Sequence, residues 1–232
     1  MRVAIIQSSY LPWRGYFDVL QSVDLFIALD DVQYTARDWR NRNRIKTPRG
    51  AAWITVPVTH DRSTRIEDAA IDHARPWARD HRRSVALNYA RAPYVDDVLA
   101  LLAPAYDAGH PTISALNVAL LRAVAAYLGI TTPIRLSSEF APAGARTERL
   151  LSLLTAAGAR TYVSGPSARA YLDEGRLSAA GIQVEYKRYA YEPYPQQWGA
   201  FDGSLSVIDL VANCGPDARH WITSLAPNER AA

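Results

Sequence analysis

The chain has 232 residues, with a hydrophobic fraction of 49% and a charged fraction of 21%, both ordinary for a globular protein. Its formal net charge of +3, from 26 basic and 23 acidic residues, is too small to indicate nucleic-acid binding. Neither a membrane-spanning apolar run nor a secretory leader is apparent, so we expect a cytoplasmic protein without a membrane partner. The single cysteine, Cys214, excludes an internal disulfide framework.

The first quarter of the chain predicts two buried strands joined by a short helix. Continuous apolar runs, typical of strands buried on both faces, cover residues 3–7 and 25–30. Apolar residues at near-helical spacing predict a helix over residues 13–22. This arrangement indicates a right-handed parallel crossover. A third strand is predicted over residues 52–58, where Pro57 favours the edge of a sheet.

The middle of the chain is predicted to be helical. Helices are expected over residues 77–90, 94–106 and 112–128, the first two following Pro76 and Pro93, and the third ending before Gly129. Strands and helices then alternate again. Strands are predicted over residues 134–137, 161–164 and 182–189, and helices over residues 147–157, 165–172 and 206–213. We expect the tail after Pro227 to be frayed.

This order of elements predicts an α/β fold with a mostly parallel, Rossmann-like or nucleotidyltransferase-like sheet. We expect a single domain over residues 1–232, in which the helical middle, approximately residues 76–130, forms an insertion or cap. Open sheets of this class bind ligands at the carboxyl ends of their strands. The polar residues that follow each strand are therefore the candidate site.

The segment after the second strand carries the strongest such signal. Asp30 and Asp31 end the apolar run, and the following residues combine aromatic, amide and basic side chains: Gln33, Tyr34, Arg37, Trp39, Arg40, Asn41, Arg42, Asn43, Arg44 and Lys46. We interpret this block as a binding site for phosphate, carboxylate or an acidic carrier protein, the alternative being a solvated loop. Either aspartate could act in catalysis or binding, or could cap a turn.

The basic block also predicts a local shape. In a straight extended segment Arg40, Arg42, Arg44 and Lys46 would face away from Asn41 and Asn43. We expect the segment to bend, so that Arg42 and Lys46 turn toward the ligand while Arg40 or Arg44 forms structural ion pairs. One cleft is then expected to contain these residues: Gln7, Tyr10, Asp30, Asp31, Gln33 and Asn41.

Other candidates lie in the first turn and in the helical middle. Gln7 and Tyr10 occupy the place of the phosphate-binding turn of nucleotidyltransferase-like folds, although the two histidines of that signature are absent. His73 and His81 flank Trp77 and are candidate general bases, because imidazole titrates near neutral pH. No third ligand is spaced convincingly beside them, so we predict no metal site.

The last third of the chain adds two further binding candidates. Ser164 lies in the strand-to-helix junction 164–167, which could bind an anion through hydroxyl and backbone N–H groups. Gln196 lies in the aromatic loop 189–198, which could stack on a sugar or base or could simply pack on the surface. Cys214 ends a predicted helix, where a thiolate is disfavoured, so we interpret it as a small buried side chain.

Taken together, these residues resemble the WbqC-like protein family. The matching stretches are 7–17, 30–34, 39–48, 53–57, 88–94, 128–130, 162–165 with 171–172, 194–196, and 205–210 with 213–216. The block from Trp39 to Pro48 is the most specific of them, whereas Ser8 and Ser9 depart from the usual Pro-Asn of the family. Members occur in O-antigen and other surface-polysaccharide gene clusters and in natural-product biosynthesis clusters, and are suspected of transferring glycine or another aminoacyl group to an amino sugar.

The resemblance implies an aminoacyltransferase in which an amine attacks an activated donor directly, without a cofactor. The acceptor would be a small molecule, and the donor an acyl or peptidyl carrier-protein thioester, an aminoacyl-tRNA or an acyl adenylate. The base would be one of His81, His73, Asp30 and Asp31. Substrate contacts would come from these residues: Gln7, Tyr10, Gln33, Tyr34, Trp39, Asn41, Arg42, Lys46, Ser164 and Gln196. The alternatives are a non-catalytic module that binds a nucleotide-sugar or a carrier protein, and an ATP-dependent amide ligase.

Overall fold

A computed structural model describes residues 1–231 and contains ten strands and seven α-helices within that range. The strands are β1 (Arg2–Ile6), β2 (Leu25–Ala28), β3 (Arg42–Thr47), β4 (Gly50–Thr55), β5 (Val58–Thr59), β6 (Ala70–Ile71), β7 (Ile134–Leu136), β8 (Thr161–Ser164), β9 (Gln183–Tyr186) and β10 (Glu229–Arg230). The α-helices are α1 (Arg14–Gln21), α2 (Trp77–Asn88), α3 (Val95–Asp107), α4 (Ile113–Tyr127), α5 (Thr147–Ala156), α6 (Glu174–Ala179) and α7 (Val207–Cys214).

The central sheet has six strands in the order β10-β9-β8-β1-β2-β7, and all but β10 run parallel. The prediction that the first two apolar runs are neighbouring parallel strands is confirmed, since Val3 pairs with Leu25 and Ile6 with Ala28. The predicted mostly parallel α/β sheet is therefore present. The chain leaves β1 toward β2 and β7, then returns to add β8 and β9 on the other side of β1. The strand order thus reverses between β1 and β8.

Each face of the sheet packs against its own layer of helices. In β1, Ala4 contributes to a large core that also contains residues of α1, α2, α3, α4 and α7. Val3 and Ile5 point the other way, into a smaller core with residues of α5 and α6. Apolar burial on both faces explains why β1 and β2 read as continuous rather than alternating apolar runs.

The predicted helical middle is confirmed as α2, α3 and α4, which belong to the same core as one face of the sheet. Thr112 caps α4 through its hydroxyl, which accepts from the backbone N–H of Ala115 at 3.3 Å. Within residues 1–231, no helix has the length and apolar character needed to cross a bilayer.

The polar block after β2 differs most from the sequence prediction. It contains β3, a regular strand that pairs antiparallel with β4 from Arg42 opposite Thr55 to Thr47 opposite Gly50. The expected bend is wrong, because the ladder is continuous over all six residues. Pro57 lies outside β4, so the predicted third strand ends earlier than its apolar pattern indicates.

The carboxyl-terminal third also differs in detail. The helix predicted after Gly165 is a short 3-10 helix, Pro166–Ala170, and the predicted strand 182–189 is limited to Gln183–Tyr186. Neither α6 nor β10 was predicted. The expectation of a frayed tail is wrong for Glu229 and Arg230, which pair with Tyr186 and Glu185 at the sheet edge.

Candidate functional site

A cleft of about 870 Å³ opens at the carboxyl ends of β1, β2 and β8, where the strand order reverses. We name it the switch-point cleft. Its lining includes Gln7, Trp13, Tyr16, Leu29, Arg146, Arg149, Ser164, Gly165, Ser167, Tyr171 and Tyr189. Open α/β sheets bind their ligands at this reversal, because the loops on its two sides diverge there and leave a crevice.

One side of the switch-point cleft is aromatic. Trp13 lies immediately before α1, and its indole meets the Tyr189 ring edge-on with centroids 5.0 Å apart. The position of the indole depends on Gly15, because a Cβ atom there would lie 2.3 Å from a ring carbon of Trp13. Tyr171 also lines the cleft, and its side chain is exposed. Such exposed aromatic faces suit stacking with a sugar ring or a nucleobase.

The other side of the switch-point cleft is positively charged. Arg149, in the first turn of α5, donates to a carboxylate oxygen of Asp31, whose other oxygen accepts from the Ser137 hydroxyl at 2.6 Å. Arg146 immediately precedes α5 with φ of 53° and ψ of −128°, a conformation that is strained for any residue with a Cβ. The N-terminus of α5 adds the positive end of the helix dipole. This end of the cleft therefore favours an anionic group.

A second cavity of about 350 Å³ adjoins the cleft and shares Ile6, Trp13 and Tyr16 with it. We name it the arginine pocket, because Arg40 and Arg44 both line it. The remaining lining residues are Ser9, Pro12, Trp39, Asn43 and Ser204. Thus the predicted binding residue Trp39 lines the arginine pocket rather than the cleft, and its ring packs on Trp53 with centroids 5.3 Å apart.

Asp30, a predicted catalytic carboxylate, binds the backbone of the first turn at Ser8. Its Oδ1 accepts from the backbone N–H of Ser8 at 2.8 Å, and its Oδ2 accepts from the Ser114 hydroxyl at 2.5 Å. Asp30 is fully buried and does not line the switch-point cleft. It ties the first turn to α4, whereas Asp31 reaches the cleft only through Arg149.

The predicted contacts Lys46 and Gln196 belong to a buried network around Asp209, named the Asp209 network. The Lys46 ammonium donates to Gln196 Oε1 and to the Ala200 carbonyl, both at 2.5 Å. Gln196 in turn donates to Asp209, which also accepts from the Tyr89 and Tyr194 hydroxyls at 2.8 and 2.7 Å. Burial raises the pKa of Asp209. These bonds attach the loop around Gln196 to β3, so neither side chain faces the cleft.

The predicted bases His81 and His73 also lie away from the cleft. His81 is buried, and its Nδ1 shares a hydrogen bond of 2.8 Å with the Tyr10 hydroxyl, which also bonds to the Tyr106 hydroxyl. Burial lowers the pKa of His81 to about 4, so the imidazole is neutral at pH 7. His73 is exposed and donates through Nε2 to the His110 carbonyl at 2.8 Å.

The other predicted residues make local contacts. The Asn41 amide donates to the Val56 carbonyl at 2.8 Å, the Gln33 amide donates to the Arg62 carbonyl at 2.7 Å, and the Tyr34 ring packs on His60. The Arg42 guanidinium lies 4.2 Å from the centroid of the Trp53 ring.

The single cleft predicted for six residues is therefore not formed. Of that set only Gln7 lines the switch-point cleft, together with Ser164 from the wider set of candidates. The expected roles in the basic block are found in part: Arg40 has an ion pair with Asp38 at 3.9 Å, as expected, but Arg42 and Lys46 are engaged away from the cleft. The chain folds each candidate onto a different neighbour, which spacing along the sequence does not reveal.

Several lining residues were not among the sequence candidates, and two arginines and a tyrosine matter most. Arg146 and Arg149 come from the loop and helix that precede β8, and Tyr171 comes from the segment that follows it. A signal was available, since both segments flank a strand and the start of α5 carries two arginines within four residues. Among residues 1–231, no group of three His, Cys, Asp or Glu side chains is arranged to hold a metal ion.

The chain is thus an α/β protein with a cleft lined by aromatic residues and two arginines at the carboxyl edge of a mostly parallel sheet. The model of the WbqC-like protein family matches residues 7–221, and the chain belongs to that family. It is also 45% identical over 228 residues to the uncharacterized protein Rv1507c of Mycobacterium tuberculosis (strain ATCC 25618 / H37Rv), covering 95% of this chain and 97% of that one. No solved structure matches the chain.

Proposed function

We propose that the chain is an aminoacyltransferase that binds a nucleotide-linked amino sugar in the switch-point cleft. The observation that supports this most directly is the composition of the cleft, which joins aromatic walls to two arginines at the reversal of strand order. A base or sugar would stack on Trp13 and Tyr189, and the phosphates would lie against Arg146 and Arg149. The order of the five parallel strands, β9-β8-β1-β2-β7, resembles that of a Rossmann-like sheet, and this resemblance supports the same kind of ligand.

The transfer itself is inferred from the family resemblance. The acceptor amine would attack the carbonyl carbon of an activated aminoacyl group, forming a C–N bond as the bond to the leaving thiol, ribose oxygen or phosphate breaks. Holding the two reactants together is the largest contribution that this cleft could make. The Gln7 amide, which lines the cleft, would donate to the developing oxyanion. The proton lost by the amine would pass to the leaving group or to solvent.

A binding module is the second candidate, and a specific observation favours it. Within the described part of the chain, no carboxylate or imidazole lines the switch-point cleft. A site without a positioned base can hold a nucleotide-sugar for a partner enzyme as readily as it can promote acyl transfer. The two candidates make the same prediction for binding and opposite predictions for product.

The test is to mix the purified chain with a nucleotide-linked amino sugar and glycyl donors, and to follow products by mass spectrometry. The donors are glycyl-tRNA, a glycyl carrier-protein thioester, and glycine with ATP. An aminoacylated sugar from either of the first two donors supports the transferase, and release of AMP or ADP with the third indicates a ligase. A ligand-induced melting shift without product from any donor favours the module. Absence of both binding and product would refute the cleft assignment.

The matched variants are Arg146→Ser and Arg135→Ser. Arg146 lines the cleft, whereas Arg135 is an exposed arginine of β7 that pairs with Glu139 on the surface. We expect Arg146→Ser to weaken binding of the nucleotide-linked sugar about tenfold, because a charge-assisted contact to phosphate is lost. Arg135→Ser is expected to bind like the parent.

A further inference from the structure

The arginine pocket contains a buried guanidinium, that of Arg40, whose one ion pair within the described residues is a long contact with Asp38. The Arg40 side chain is only 10% exposed, and its Nε and Nη1 atoms are shielded from solvent without a hydrogen-bond partner among residues 1–231. The nearest carboxylate oxygen, on Asp38, lies 3.9 Å from Nε, which is beyond hydrogen-bonding distance. A guanidinium does not shed its proton at any ordinary pH, so its charge persists.

Most buried polar atoms in folded proteins are hydrogen-bonded, and among residues 1–231 Arg40 alone has two guanidinium nitrogens buried without a hydrogen-bond partner. The backbone of Arg40 does not explain the choice of side chain. Its carbonyl accepts from the Asn117 amide at 2.8 Å, a bond that any residue at this position could make. The guanidinium therefore requires another explanation.

The surroundings of Arg40 indicate an anion. Arg44 lines the same pocket, donates to the Ser204 hydroxyl at 2.6 Å, and leaves its own Nε buried without a partner. Among the described residues, no carboxylate lines the pocket. The Asn43 amide is already engaged, since it donates to the carbonyls of Tyr10 and Leu11. The pocket thus holds two positive charges, with Arg40 the more deeply buried and less paired.

The remaining walls indicate what carries the anion. They are Ile6, Pro12, Trp13, Tyr16 and Trp39, which are apolar or aromatic, together with Ser9. A volume of about 350 Å³ suits one ring with a short substituent. A planar guanidinium can hold a carboxylate or a phosphate, but Arg44 already donates to Ser204, and the single charge of a carboxylate matches Arg40 better than a phosphate dianion does.

We propose that the arginine pocket is a binding site for the carboxylate of a small molecule with an apolar or ring-shaped body. The carboxylate pairs with Arg40, and the body packs between Trp13, Tyr16 and Trp39. This site is separate from the phosphate-binding end of the switch-point cleft. It therefore does not depend on which nucleotide, if any, that cleft binds.

The test uses three probes of similar shape: phenylacetate, phenylacetamide and phenyl phosphate. Binding is followed by ligand-observed NMR for the parent, Arg40→Gln, Arg40→Lys and Arg79→Gln, where Arg79 is an exposed arginine of α2. We expect phenylacetate to bind the parent at least about tenfold more tightly than phenylacetamide, and to lose that advantage in Arg40→Gln. Arg40→Lys is expected to restore little of it, and Arg79→Gln to bind like the parent.

Several outcomes would overturn the proposal. These are equal binding of the amide, tighter binding of the phosphate, unchanged binding in Arg40→Gln, and no saturable binding of phenylacetate. A second measurement needs no ligand. If Arg40 serves a ligand, Arg40→Gln melts at the same temperature as the parent or higher, because a buried charge without hydrogen bonds is removed. A lower melting temperature would make Arg40 a structural residue and refute the proposal.

Discussion

The Asp209 network and the arginine pocket each contain a basic residue of the same block. The two residues, Lys46 and Arg40, differ in how many hydrogen bonds the protein gives them. Lys46 is buried with both of its acceptors supplied by the loop around Gln196, and Asp209 accepts three hydrogen bonds. The guanidinium of Arg40, six residues earlier, is almost as deeply buried and makes no hydrogen bond within the described residues. Removing one partner from a paired buried charge destabilises the fold, whereas the guanidinium without hydrogen bonds is the feature on which the proposed carboxylate site rests.

The largest expected effect is a loss of stability when the Asp209 network is disrupted. Asp209→Ala removes the acceptor of two buried hydroxyls and one amide, so we expect the free energy of unfolding to fall by about 3–5 kcal/mol. Urea denaturation measures this loss. Asp209→Asn keeps one acceptor oxygen and is the matched control, with a smaller expected loss. If Asp209→Ala were as stable as the parent, the network would not be structural and the contrast with Arg40 would disappear.

The next effect concerns His81, the buried group first considered as a base. Its pKa in the folded protein, about 4, lies below the 6.5 of an unperturbed imidazole, so the unfolded chain binds a proton before the folded chain does. Stability is therefore complete above pH 6.5 and falls as the pH drops toward 4, by about 3 kcal/mol in all.

Urea denaturation at a series of pH values between 7 and 4 measures this slope. His81→Gln should remove the part of the slope that His81 contributes, while His73→Gln, a change at an exposed histidine, should retain it. A His81→Gln protein with the same pH dependence as the parent would show that His81 does not titrate as its burial indicates.

The smallest expected effect concerns Arg146, a cleft arginine with a positive φ. Glycine adopts a positive φ without strain, so Arg146→Gly should raise the free energy of unfolding by about 1 kcal/mol. The same change removes a cleft cation, and affinity for a nucleoside diphosphate should fall about tenfold by calorimetry. Arg37→Gly is the matched control, since Arg37 has a φ of 57° but does not line the cleft. Equal loss of binding in both variants would contradict a specific role for Arg146.

Much of the fold could be predicted because its signals are local. The apolar runs of β1 and β2 and the periodicity of α2 and α4 reflect burial that each segment shows by itself. Strand β3 was missed because its buried residues include Asn43 and Lys46, and polar residues buried by pairing look like solvated residues in a sequence. Their partners lie elsewhere in the chain, so no local pattern could identify them.

The site was only partly predictable for the same reason. Gln7 and Ser164 could be found because each follows or ends a strand of the sheet, and the carboxyl edge is where ligands bind. The sequence could not distinguish Arg40 from Lys46, because the difference is made by Gln196 and Ala200, roughly 150 residues away. Nor could it place Arg149 beside Asp31, a pair that depends on the return of the chain to β8.

Trp13 is a common wall of the switch-point cleft and the arginine pocket, and its indole occupies its position only because residue 15 has no side chain. If each compartment binds a ligand, the two ligands share this wall. If the first ligand shifts the indole, the affinity for the second changes by some factor, and the second must change the affinity for the first by the same factor. A single aromatic ring would then be the route by which filling one compartment changes the affinity of the other.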